Sequence, residues 1–155
     1  MQALLAFIVL LLMGLVTGVS FSHLLQRGPK AELPGAHFLA IQRVLLRNYG
    51  AGVGALEAAA FVFALALAVV IRARSSLLFL ASGAAACVGL MIAIWAVWIN
   101  PINRAVNSWS PDSLPRNWAE FRDRWHTLHS VRFILALLGL SALIALALRL
   151  HMASG

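Results

Sequence analysis

Three residues toward the end of the chain, His126, His129 and Arg132, follow i, i+3, i+6 spacing. Neighbours three apart face the same way on a helix, although the whole set turns gradually about the axis. Two histidines so placed suit two chemistries. With His23 and Glu57 they would complete a shell for a divalent metal, which makes His23, Glu57, His126 and His129 the candidate ligands. Without a metal, an imidazole that titrates near neutrality can act as a general base. Plainer roles stand beside these. Glu57 and Arg132 would form an ion pair that lets both live near an apolar interior, and His126 would be a solvated histidine at an interface.

Something must carry these residues to one place, and composition says what. The 155 residues are 62% hydrophobic and only 11% charged, with a mean hydropathy of +0.90. A soluble domain has about 25% charged residues. The apolar excess exceeds what one water-soluble core can hide, so the second solvent is lipid. Four apolar stretches, near 3–21, 50–71, 77–99 and 131–150, have about 19 to 23 residues each, enough to cross a hydrocarbon core. All must be helical, because a backbone in lipid has to satisfy its own hydrogen bonds. The first stretch has no Lys or Arg before it and is long for a signal peptide, so it reads as a retained span. The expectation is an all-α transmembrane four-helix bundle, one integral membrane domain over 1–155.

Small residues at helical spacing, Gly14 with Gly18, Gly50 with Gly54, and Ala51 with Ala55 and Ala58, are expected where helices approach closely. A tight turn, Arg72 to Ser76, joins the second and third spans. The other two connections are long, leave on the opposite side and read as amphipathic helical extensions. From Gly35 to Tyr49 an apolar face of Phe38, Ile41 and Leu45 predicts a helix that runs on into the second span. In the other connection, Asn117 followed by Glu120 marks a helix start. The stripe Trp118, Phe121, Trp125 and Leu128 suits a helix at the membrane interface that continues into the fourth span.

The formal net charge is +7. The basic residues are spread through connections with no aromatic groove, which excludes nucleic acid and points to topology and lipid head groups. Most of them lie on the long-connection side, which places those connections in the cytoplasm of a cell bounded by a bacterial cytoplasmic membrane. Cys87 is the one cysteine, so no internal disulfide and no paired-cysteine redox motif exists.

Depth then singles out one end of the bundle. Glu57 lies about seven residues inside its span, about 10 Å below the long-connection surface. An ionisable group there costs several kcal/mol unless paired, protonated or wetted. The first span ends at that side with Thr17, Ser20, Ser22 and His23. The third ends with Trp95, Trp98, Asn100 and Asn103, and Pro101 is expected to close it. The fourth begins at His126, His129 and Arg132. Asn100 and Asn103 are helix-end caps or amides that orient a carbonyl, while His37 and His151 are peripheral.

The pieces Asn100-Pro-Ile-Asn103, Arg124-Trp125 and His129-Ser-Val-Arg132, with Ser22-His23 and Glu57, resemble the small four-span membrane proteins named for anthrone oxygenase. The resemblance covers nearly the whole chain. It implies an oxidoreductase that converts an anthrone, a reduced tricyclic phenolic ketone, to an anthraquinone with molecular oxygen. Deprotonating the activated methylene gives an enolate able to pass an electron to oxygen, so base and hydrogen-bond donors could suffice without a cofactor. On that basis His129 is the base, and Arg132 and Asn103 stabilise the enolate oxygen. Trp95, Trp98 and Trp125, with Asn100, wall a flat substrate, and His23 with Glu57 orients the base or holds a divalent metal. Two other readings remain open. One is a non-catalytic carrier of a hydrophobic aromatic molecule or a metal. The other is a structural subunit, including a homo-oligomer, assembled through small-residue faces.

Overall fold

The computed structural model describes residues 1–152, which form helices and no named strand. The last three residues of the domain expected over 1–155 lie outside the described residues. Helix α1 (Gln2–Leu25) is followed by two short helices, α2 (Arg27–Ala31) and α3 (Gly35–Val44), and then by α4 (Tyr49–Val70) and α5 (Ser75–Ile94). A π-helical turn (Trp95–Ile99) joins α5 to α6 (Asn100–Ser108), and α7 (Trp118–Met152) completes the chain. Four continuous helical runs, Gln2–Leu25, Tyr49–Val70, Ser75–Ser108 and Trp118–Met152, are long and apolar enough to cross a membrane. The protein is an all-α integral membrane bundle.

Helix α1 packs on α4 and α7, and α5 packs on the same two. The helices therefore occupy the corners of a square in chain order, and each neighbour runs antiparallel to the next. The buried positions explain why. They recur at alternating steps of three and four: Ala6, Val9, Met13, Val16, Ser20 and His23 in α1, and Glu57, Ala60, Ala64 and Leu67 in α4. Leu77, Ala81, Ala84, Val88 and Met91 continue the pattern in α5, as do Trp125, His129, Arg132, Ala136, Gly139, Leu143 and Leu146 in α7. Such a period of about 3.5 residues keeps one seam facing the bundle axis. The seam is apolar toward the short turn and turns polar at the other end, in all helices but α5.

Close approach comes from Ala60, Ala64, Ala81, Ala84 and Gly139 on these seams. A Cβ added at Gly139 would lie 3.0 Å from Met13 Cε, 3.3 Å from Cys87 Cβ and 3.7 Å from the Ala84 carbonyl oxygen. The expected pairs Gly14 with Gly18 and Gly50 with Gly54, and Ala51, Ala55 and Ala58, are instead exposed, and a Cβ at any of those glycines meets nothing within 4 Å. The seam runs through Met13, Val16 and Glu57, which leaves those small residues out of contact with the neighbouring helices.

Two expected helix ends also differ. Helix α3 stops at Val44, and turn residues 45–48 separate it from α4. Phe38 and Leu39 bury themselves in an apolar cluster with Ile99, Ile102, Val106 and Trp125, which draws α3 across the top of the bundle and forces the turn. Pro101 does not close the third span. It sits in the first turn of α6 directly after the π turn, where a missing N–H is tolerated. The π turn adds one residue to the helical path. The α5 seam would otherwise pass from Trp95 to Trp98; with the extra residue Ile99 takes the buried place (0% exposed) and Trp98 is left 44% exposed.

Helix α7 has 35 residues, a length of about 50 Å against a hydrocarbon core of about 30 Å. Its first turns rise beyond the bundle, as the continuous helix expected from the sequence does. Trp118, Phe121 and Leu128 pack with α3 and α6 there, rather than lying flat on the interface. The result is a second tier over one end of the bundle, and the polar seam residues lie where the two tiers meet.

Gly139→Leu should therefore lower stability by about 1–3 kcal/mol through overpacking, whereas Gly18→Leu should leave it unchanged or raised. Thermal unfolding of both variants in detergent checks this pair. Deleting exposed Val97 converts the π turn to α-helix yet keeps Ile99, Ile102 and Val106 on the seam. The deletion should fold with a melting temperature within about 5 °C of the parent, and loss of the folded bundle would contradict the insertion reading.

Candidate active site

Where the tiers meet there is a cavity of about 450 Å³, within the range of small-molecule sites. Its walls come from every long helix. His23 arrives from α1, Glu57 with Gly50, Val53 and Gly54 from α4, Ile92 and Trp95 from α5 and the π turn, and Asn100 and Asn103 from α6. Trp125, His129 and Arg132 arrive from α7. Gln42, Arg43 and Leu46 of α3 and its end, with Arg47, Tyr49 and Asn107, form the upper rim.

Glu57 and Arg132 anchor the deep end. They are 3% and 4% exposed, and an Arg132 Nη2–H donates to Glu57 Oε1 in a salt bridge. The other terminal nitrogen of Arg132 approaches His129 Nδ1 at 3.5 Å, the outer limit of a hydrogen bond. A guanidinium has donors only, so this contact favours the His129 tautomer whose Nδ1 is free to accept. His129 packs against two other rings, both tilted to it, with centroids 4.0 Å from Trp125 and 4.3 Å from His23. His23 in turn meets Trp125 edge-on at 5.1 Å and Tyr49 at 5.6 Å. Its Nδ1 is sealed from solvent with no protein partner, so the cavity meets this ring through its other nitrogen.

Trp125 ties the site to the second tier. Its indole N–H donates to Asn103 Oδ1 at 2.9 Å, which fixes the amide and points its NH₂ group elsewhere. Lys30 Nζ lies over the ring, 5.5 Å from its centroid. Lys30 is 5% exposed with no hydrogen-bond partner for its amine, and burial pushes its pKa below the ordinary lysine range. Arg43 secures the rim by donating to the carbonyl oxygens of Asn107, at 2.8 Å, and Trp109. That closes the C-terminal end of α6 with a cation, which suits its exposed carbonyls.

Of the residues singled out from the sequence, His23, Glu57, Trp95, Asn100, Asn103, Trp125, His129 and Arg132 line this one cavity, and Trp98 does not. Trp98 is carried outward by the inserted π residue. His126, expected in solvent, is 2% exposed, meets Trp125 edge-on at 5.0 Å, and has no protein partner for either ring nitrogen. Helix α2 lies along α7 and removes this face from water. Glu57 meets Arg132 rather than His23, and His126 lies outside the cavity lining. Among the described residues no three His, Cys, Asp or Glu side chains gather as a metal-binding group, so the four candidate ligands do not fit a common ion. Sequence reasoning did not single out Lys30, Gln42, Arg43, Arg47, Tyr49 or Asn107. Their only signal was position, on connections that fold back over the bundle end.

The model of the anthrone oxygenase family matches residues 45–142, which include α4, α5, α6 and most of α7. No curated protein and no solved structure matches the chain. The matched segment contains Glu57, Trp95, Asn100, Asn103, Trp125, His129 and Arg132, while His23 and Lys30 lie before it. With more than half of its length under that match, the chain belongs to the anthrone oxygenase family.

Proposed function

We propose that the protein is an oxygenase that converts an anthrone-type phenolic ketone to the quinone in this cavity, using molecular oxygen as the oxidant. The observation that carries the reading is the pair of adjacent imidazoles, His23 and His129, beside a buried, carboxylate-held arginine, in a cavity walled by Trp95 and Trp125. A flat ring system lies against the tryptophans. The arginine and its histidine neighbour serve the oxygen atom on which charge develops.

The reaction balances on the substrate and oxygen alone. A base takes one proton from the ring methylene and leaves an enolate delocalised over the fused rings. The enolate gives one electron to oxygen, and the radical pair joins as a carbon–oxygen bond to form a peroxide. Protonation and loss of the remaining methylene proton break the O–O bond. One oxygen atom stays as the new carbonyl and the other leaves as water.

The tautomer that the Arg132 contact favours supports different tasks for the histidines from those suggested by the sequence. His129, with its proton on Nε2, donates to the enolate oxygen together with Arg132, and His23 takes the methylene proton. Asn103 positions Trp125 through their hydrogen bond, and Glu57 holds Arg132 in place. The long connections, rich in Lys and Arg, face the cytoplasm, so the cavity rim opens on the cytoplasmic leaflet of a bacterial cytoplasmic membrane. The carrier reading shares the cavity but needs no base, and the unequal surroundings of the two imidazoles favour the enzyme.

His23→Ala should lower turnover of an anthrone-type phenol by about 10²–10⁴-fold, with His129→Ala losing a comparable factor and both proteins still folded in detergent. Product formation by absorbance, with oxygen uptake on the same samples, measures this. Unchanged turnover in both variants would return the protein to the carrier reading.

A further inference from the structure

The cavity carries an electrostatic imbalance that the oxidation itself does not use. Four charged side chains line it: Glu57, Arg132, Arg43 and Arg47. Glu57 is committed to Arg132 at the deep end. Arg43 and Arg47 then remain at the rim, with no acidic residue among the lining. Arg43 is held by the Asn107 and Trp109 carbonyl oxygens. Arg47 is exposed and makes no hydrogen bond or ion pair with any described residue. It sits two residues before α4, whose Asn48 N-cap position makes no side-chain cap bond. The positive end of α4 adds to the same field.

The distance between the charged ends is set by α4. From Tyr49 at the rim to Glu57 at the base is about 12 Å of helix. Between them the α4 wall is Gly50, Val53 and Gly54, and a Cβ at either glycine would meet nothing within 4 Å. This stretch therefore leaves room for a flat body facing Trp95 and Trp125, with one end at the histidines and the other at Arg47.

Resting on the reading of the cavity as a site for a fused-ring substrate, we propose that the substrate carries an anionic group, a carboxylate on the ring distant from the reacting methylene, and that Arg47 is the residue that selects it. Arg47 grips this group as an ion pair at the rim and so orients the methylene toward the imidazoles. A neutral substrate of the same shape enters the same cavity without that orientation.

The test uses the full chain in nanodiscs of neutral phosphatidylcholine, with anthraquinone-2-carboxylate and anthraquinone-2-carboxamide as probes, and reads quenching of tryptophan fluorescence. Comparing each probe between proteins cancels its partition into the lipid. Arg47→Gln should weaken carboxylate binding by about tenfold and leave carboxamide binding unchanged. Arg104→Gln, an exposed arginine outside the cavity lining, should change neither. Equal effects of Arg47→Gln on both probes, no effect on either, or no binding of the carboxylate by the parent protein would overturn the proposal. A protein that oxidises a neutral anthrone yet shows no loss of carboxylate binding in Arg47→Gln keeps the oxygenase reading and loses this one.

Discussion

One ion pair makes the polar end of this bundle possible. Glu57 belongs to α4 and Arg132 to α7, helices at opposite corners of the square, so their salt bridge crosses the bundle axis. Either charge alone at that depth would cost several kcal/mol. Together they replace the apolar filling that Leu67, Ala64, Leu143 and Leu146 supply nearer the short turn. The seam positions are the same at both ends. Only the side chains differ, and that difference turns a packed core into a lined cavity.

The second tier follows from the same constraint. The chain roofs the polar cavity with its long connections, which keeps it from opening directly on lipid. Helix α3 is drawn over by Phe38 and Leu39, α2 covers His126, and Arg122 donates to the Ala31 carbonyl oxygen at 2.8 Å to hold that connection down. Trp125 lies at the centre of the joint. It touches His23, His126 and His129, bonds Asn103 and carries Lys30 on its face. A displacement of the roof would therefore be felt by both imidazoles.

Much of this was legible in the sequence because depth and alternation are geometric. Four apolar spans that alternate in direction must bring the ends of the first and third to the starts of the second and fourth, which is why His23, Glu57, Asn103, His129 and Arg132 meet. What was not legible depends on one-residue effects and on connections. The inserted residue between Trp95 and Ile99 leaves no mark in composition, so Trp98 was placed on the wrong face. Glycine spacing suggested helix contacts at Gly14, Gly18, Gly50 and Gly54, but the seam is set by the larger and polar residues beside them. The burial of His126 depends on α2 folding back along α7, and Arg43 and Arg47 join the site only because α3 and the turn after it lie over the bundle end.

The central claim is that Glu57 and Arg132 act as one unit, each needed because the other is present. A double-mutant cycle on unfolding in detergent, with Glu57→Leu, Arg132→Met and the combined variant, measures their coupling directly. Each single change should cost about 3–5 kcal/mol by stranding a buried charge, while the combined variant should be much closer to the parent. Losses that simply add would contradict the account, since the two side chains would then be independent and the cavity would owe nothing to their pairing.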